Sequence, residues 1–147
     1  MKRTWIVIMD RTGARLFERR AHSPSLTLLK EWEHPGGNFR EGELTSDRPG
    51  IGRMNSREYR SNVLTPSGSA KEQSLKRFCH EIATYLDTER TTENFDELML
   101  VAEPHTLGIL RATLPAQVER KIAATVNKDF AGVETRVIAE VMSPYLL

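Results

Sequence analysis

Thr4-Trp5-Ile6-Val7-Ile8-Met9, then Asp10-Arg11-Thr12-Gly13, then Ala14-Arg15-Leu16-Phe17-Glu18-Arg19, is the stretch that decides how this chain is organised. The first six residues are apolar or β-branched at odd and even positions alike. That pattern belongs to a strand covered on both faces, in the middle of a sheet. Asp10 to Gly13 has the residues of a tight hairpin, with Gly13 free to take positive φ, so Ala14 to Arg19 returns as a second strand. Leu26 to Glu33, after Ser23-Pro24-Ser25, reads as a third. An antiparallel meander of three strands is expected, closed by Pro35, which cannot donate to a central ladder.

Hydrophobic periodicity lapses between about 34 and 68 and resumes at Ser69. Ser69-Ala70-Lys71-Glu72 has the form of a capping box. Leu75, Phe78, Cys79, Ile82 and Leu86 follow at helical spacing, predicting an amphipathic helix from about Ala70 to Glu89 that lays its apolar stripe on the sheet. Glu97 to Ala102 reads as another doubly buried strand. Pro104 suits the first turn of a short helix to about Leu114, since its missing N–H costs nothing there. A second short turn or helix runs from Pro115 to about Arg120. Lys121 to Lys128 alternates as a fifth strand, with a helix as the competing reading. Gly132 to Met142 is expected to be a closing helix, stopped by Pro144. The order βββ, long loop, αβαβα describes an α/β fold of the α+β mixed kind. It has a mixed five-stranded sheet covered by helices and a right-handed crossover in its second half.

Composition sets limits on function. The 147 residues, 39% of them apolar, suit one domain over 1–147 with its own core. Lys+Arg 21 against Asp+Glu 20 gives a net charge of +1, so any anion site must come from local clustering. The single Cys79 falls on the helical stripe and reads as a small core residue. The apolar run after Met1-Lys2-Arg3 stops at Asp10, too soon for a signal peptide. No stretch approaches the roughly 20 apolar residues of a membrane span, and a cytoplasmic protein is expected.

The candidate functional residues lie in the long loop. It holds six of the nine glycines, together with Arg40, Arg48, Arg53, Arg57 and Arg60. Connections without secondary structure rarely exceed about 12–15 residues unless they are working loops or disordered. Arg53, Arg57 and Arg60 are spaced i, i+4, i+7, so one helical turn would gather three guanidiniums on a face able to bind phosphates bidentately. Gly36, Gly37, Gly42, Gly50 and Gly52 would let backbone amides approach closely. Equally open is a solvated loop whose arginines pair with Glu41, Glu43, Asp47 and Glu58.

Asp10, at the end of a central strand, is a candidate metal-binding carboxylate, with Glu33, Glu72, Asp96 and Asp129 as conceivable co-ligands. A turn-initiating Asp accounts for it more simply. His22, His34, His80 and His105 have no ligand spacing to one another. No nucleophile elbow, Walker loop or dinucleotide fingerprint occurs. No metal or cofactor is implied.

The segments Trp5 to Arg15 and Ser46-Asp47-Arg48-Pro49-Gly50 together resemble the bacterial host attachment protein family. So do Phe78, Leu100-Val101-Ala102-Glu103-Pro104 leading into Leu107-Gly108-Ile109-Leu110-Arg111, and Asn127-Lys128-Asp129. The likeness spans essentially the whole chain. That family is similar in fold to the central domain of archaeal and eukaryotic class-one release factors, a ribonuclease-H-like mixed sheet. In those factors a Gly-Gly-Gln tip enters the ribosomal peptidyl-transferase centre from a long loop between early strands and a long helix. Here Gly36-Gly37-Asn38 stands in the comparable place. Asn is one methylene shorter than Gln, and a displacement near 1 Å can cost about 10²-fold in rate. The resemblance therefore implies RNA or ribosome binding without hydrolysis, in translation rescue or dormancy. Arg40, Arg48, Arg53, Arg57, Arg60, Gly36 and Gly37 would be the RNA-binding residues, and Asn38 and Asp10 the candidates for any catalytic role. The alternatives are a metal-dependent nuclease using Asp10 and a protein-interaction module in cell attachment.

Overall fold

The computed structural model describes residues 2–34 and 69–146. Five strands, β1 (Arg3–Asp10), β2 (Gly13–Arg20), β3 (Thr27–Glu33), β4 (Glu97–Ala102) and β5 (Ile122–Asn127), form one sheet in the order β3-β2-β1-β4-β5. β1 pairs antiparallel with β2 and β2 with β3, giving the expected meander, while β4 runs parallel to both β1 and β5. The sheet is therefore mixed, with β1 at its centre.

The two parities of β1 feed two cores. Trp5, Val7 and Met9 join Leu98 and Leu100 beneath α1 (Ala70–Thr91), α2 (Pro104–Thr113) and α3 (Ala116–Glu119), where Phe78, Cys79, Ile82, Leu86, Leu107, Leu110 and Val118 fill the space. Ile6 and Ile8 join Phe17, Met99, Val101 and Val126 on the other face, covered by Ile138 and Met142 of α4 (Ile138–Met142) and by the segment leading to it. A strand with helices on both sides has no wet face, which is why Trp5 to Met9 is apolar throughout. Cys79 is wholly buried, and desolvation pushes its thiol up to about 12, so it serves as packing.

Three expectations need correction. Gly13 is required for a close approach and not for positive φ: a Cβ there would stand 2.1 Å from the Trp32 carbonyl oxygen of β3. The turn is made instead by the Asp10 carboxylate. The capping box is half formed. Ser69 Oγ accepts from the Glu72 amide at 3.0 Å, but the Glu72 carboxylate turns to His105, 3.0 Å from its Nε2. The closing helix is shorter than Gly132–Met142. Gly132 has φ +86° and the Arg15 guanidinium takes the carbonyls of Phe130 and Val133, so winding begins as a 3-10 turn at Thr135–Val137. Pro144 does not stop the chain but lies inside a further 3-10 turn, Ser143–Tyr145.

Candidate functional site

β1, β3, β4 and β5 all end on the same side of the sheet, since β3 runs antiparallel to β2, which runs antiparallel to β1. From there β1 connects outward to β2, whereas β4 connects through α2 and α3 in the opposite direction to β5. In open α/β sheets the crevice outside the carboxyl ends, where connections diverge, is the usual ligand position. Here it holds a cleft of about 270 Å³ lined by Asp10, Arg11, His34, Lys71, Leu75, Glu103, His105, Thr106 and Asp129.

Each carboxylate in it organises the backbone that presents it. Asp10, only 7% exposed, accepts through Oδ1 from the Thr12 amide (2.8 Å), the Thr12 hydroxyl (2.5 Å) and the Gly13 amide (3.2 Å). Its Oδ2 faces the Arg15 guanidinium at 3.9 Å. Asp10 is thus the turn-former of the hairpin. Glu103 caps α2, its Oε1 accepting from the amide and hydroxyl of Thr106 at 3.2 and 3.1 Å, with Pro104 in the first turn. Asp129 Oδ1 accepts from the Ala131 amide at 2.9 Å. Glu103 Oε2 and Asp129 Oδ2 have no such donor among the described residues. Nor do the exposed cations Arg11 and Lys71 have an ion pair or side-chain hydrogen bond there.

His34 joins the end of β3 to the first turns of α1. Its amide donates to the Thr12 carbonyl (2.9 Å), its ring stacks on Phe78 with centroids 4.6 Å apart at 4°, and its Nε2 lies 2.8 Å from Ser74 Oγ. The residue is 5% exposed, and Nδ1 has no partner within hydrogen-bonding geometry. Burial holds its pKa below the usual histidine value, against the opposing pull of nearby backbone groups of Arg11 and Ser74 and with some help from Arg77.

Of the residues singled out from sequence, the structure brings Asp10 and Asp129 to one cleft. Glu33 lines a neighbouring groove beside the hairpin, and Glu72 is engaged with His105. Asp96 sits at the far end of the sheet, where the Arg3 amide donates to it at 2.7 Å. Among the described residues no group of three or more His, Cys, Asp or Glu is placed to hold a metal ion. Gly36, Gly37, Asn38, Arg40, Arg48, Arg53, Arg57 and Arg60 lie outside the described residues. Sequence reasoning did not assign Arg11, His34, Lys71 and Glu103 to a site. The available signal was positional, since each ends or begins an element on one edge of the sheet.

Residues 5–142 match the model of a family described as a protein required for attachment to host cells. No curated protein matches the chain. Among the solved structures similar to it are two at 14% identity. One, described as an archaeal protein, gives a TM-score of 0.49 over 97% of this chain and 36% of that one. The other, an archaeal translation termination factor, gives 0.48 over 94% and 34%. The chain spans about a third of the length of each. No helix among the described residues is long and apolar enough to cross a membrane.

Proposed function

Since this chain belongs to the family of proteins required for attachment to host cells, as the match over residues 5–142 shows, we propose a role for it within that family. It is a cytoplasmic, non-catalytic factor that binds RNA or the ribosome in translation rescue or dormancy. Residues 1–147 act as one unit, and Gly36, Gly37, Arg40, Arg48, Arg53, Arg57 and Arg60 supply the phosphate contacts. One observation carries the reading: His34 and Ser69, between which the Arg/Gly segment runs, both lie at the carboxyl end of the parallel strands, beside the cleft. The two residues that flank the segment thus stand where an α/β sheet presents ligands. Its arginines offer planar forks suited to phosphate. RNA is favoured over duplex DNA because no helix among the described residues presents a basic face for the major groove.

A metal-dependent nuclease built on Asp10 has less support. The Asp10 carboxylate is already saturated by three donors from its own turn and faces Arg15.

The test is cosedimentation with ribosomes from growing and from starved cells across a salt series. Wild-type protein should travel with ribosomal particles. Changing Arg53, Arg57 and Arg60 together to Ala should weaken that association and flatten its log–log salt slope by up to about 2, each phosphate contact contributing about 0.7. No cosedimentation in either extract would defeat the reading, and an unaltered triple variant would remove the segment from the contact.

A further inference from the structure

We propose that the cleft between the sheet end and α1 is a base-reading pocket for guanine. This deepens the RNA reading above but stands on different residues. The charge in the cleft is balanced: Arg11 and Lys71 line it against Glu103 and Asp129, and the third carboxylate, Asp10, is offset by Arg15 outside the lining. A balanced lining repays neither a phosphate nor a metal ion. It suits an uncharged group that donates on one side and accepts on the other.

The arrangement of free groups narrows the ligand. The strand ends supply acceptors, because Glu103 and Asp129 each spend one oxygen on a backbone amide and keep the other without a donor among the described residues. The hairpin turn and the first turn of α1 supply donors through Arg11 and Lys71. Guanine presents adjacent donors at N1–H and N2–H₂, and adjacent acceptors at O6 and N7. A carboxylate answers the first pair and Arg or Lys the second. Adenine puts a donor beside an acceptor on its pairing edge and offers a carboxylate no such pair. Uracil and cytosine have no N7.

Two further features point to a ligand. The volume, about 270 Å³, falls just under the range of pockets for drug-sized molecules and admits one base with its sugar. The wall is also fixed in place: His34, which lines the cleft, is 5% exposed, stacks on Phe78 and sets its Nε2 2.8 Å from Ser74 Oγ. The base could come from a free nucleotide or from one residue splayed out of a single strand, the form in which RNA sequence is usually read.

The test uses the full chain and two ligand series, followed by calorimetry or by amide shifts of residues lining the cleft. The first series is guanosine, inosine and adenosine monophosphate. The second is a uridine hexamer and the same hexamer with one guanosine. Guanosine monophosphate should bind about tenfold or more tightly than adenosine monophosphate, with inosine, lacking the 2-amino group, between them. Glu103→Gln retains an acceptor for capping α2 but turns the free oxygen into a donor, and it should erase the preference. Arg11→Ala, in an exposed turn, should reduce it without changing the melting temperature. Equal binding of all three nucleotides, or none at millimolar concentration, overturns the pocket. A hexamer that binds with no gain from its guanosine also overturns it while leaving the RNA reading intact. Guanosine preference without hexamer binding supports the pocket and removes the RNA reading.

Discussion

The two ends of the sheet are built from similar residues put to different use. At the end where β1 and β4 begin, Lys2, Arg3 and Asp96 are spent on the fold itself. The Arg3 amide and guanidinium reach Asp96, Arg3 Nη2 donates to the Glu93 carbonyl at 2.6 Å, and Lys2 pairs with Glu97 at 3.4 Å. The Arg3 amide and guanidinium together hold the Asp96 carboxyl below its usual range. At the opposite end Glu103 and Asp129 are half spent, each fixing its own cap or turn, and Arg11 and Lys71 are unspent. A paired surface charge closes a structure, and an unpaired one beside a shaped cleft remains available to a ligand. If the cleft beside Arg11 and Lys71 is the binding site proposed above, substitutions of these two groups of charges should separate along the same line.

The largest effect should come from the packing beneath the working end. Phe78 is 4% exposed, joins the core on the sheet and supports the His34 ring. Phe78→Ala should cost about 3–5 kcal/mol in urea unfolding, the usual range for a buried aromatic. A loss under about 1 kcal/mol would mean that the end of β3 does not depend on α1. Next comes Gly13→Ala. Its Cβ would meet the Trp32 carbonyl oxygen at 2.1 Å, a backbone atom that cannot swing aside. The strand pair must part locally, at about 1–3 kcal/mol. An unchanged unfolding midpoint would show that β2 and β3 can shift freely at this end.

How far the sequence foretold this division follows from the kind of signal each part leaves. Trp5 to Met9, Glu97 to Ala102 and the stripe through Phe78, Cys79, Ile82 and Leu86 were legible because burial demands a run or a period, and the strand and helix limits fell within a residue or two. The closing helix was misjudged because the apolar spacing of Val133, Val137, Ile138 and Val141 records which residues are covered, not which hydrogen bonds they make. The competing acceptor use by Arg15 comes from more than a hundred residues away. Asp10 was correctly weighed as a turn residue from its neighbours alone. The cleft was not legible. Glu103, His34 and Lys71 are distant in sequence and meet only because the sheet order places β1 between β2 and β4. The arginines from Arg40 to Arg60 lie outside the described residues, so their part in the site rests on the test proposed above.

Acid should expose a further contrast between the ends. The folded His34 pKa lies below its unfolded value of about 6.5. The unfolded chain therefore takes up the proton first, so the stability tied to a neutral His34 is fully present above about pH 6.5 and declines as pH falls below it. Arg77 opposes protonation of the ring, and Arg11, Lys71, Asp10, Glu103 and Asp129 line the same cleft. Asp96 has its folded pKa lowered instead, so its contribution persists until the pH approaches the ordinary carboxylate range near 3.8. Between about pH 7 and 5, wild-type stability should drop more steeply than that of His34→Gln. Asp96→Asn should leave the slope there unchanged. Parallel slopes for wild type and His34→Gln would show that the ring titrates freely in the fold.

The smallest stability effect is the sharpest test of the comparison. Arg3→Ala removes a guanidinium held by a carbonyl and a half-exposed carboxylate. It should cost roughly 0.5–1.5 kcal/mol, as expected for a hydrogen bond with a partly screened ion pair. Arg11→Ala and Lys71→Ala remove exposed cations that hold nothing in the described fold, so each should stay within about 0.5 kcal/mol of wild type. Nucleotide and RNA binding should show the reverse order, with Arg3→Ala indistinguishable from wild type and Arg11→Ala and Lys71→Ala weakened. The pairing of the two measurements matters, because a variant that loses both stability and binding says only that it is damaged. If Arg11→Ala destabilises the fold as much as Arg3→Ala does, its guanidinium is a structural element after all. The contrast between Arg3, held by the fold, and Arg11, left to a ligand, would then be lost.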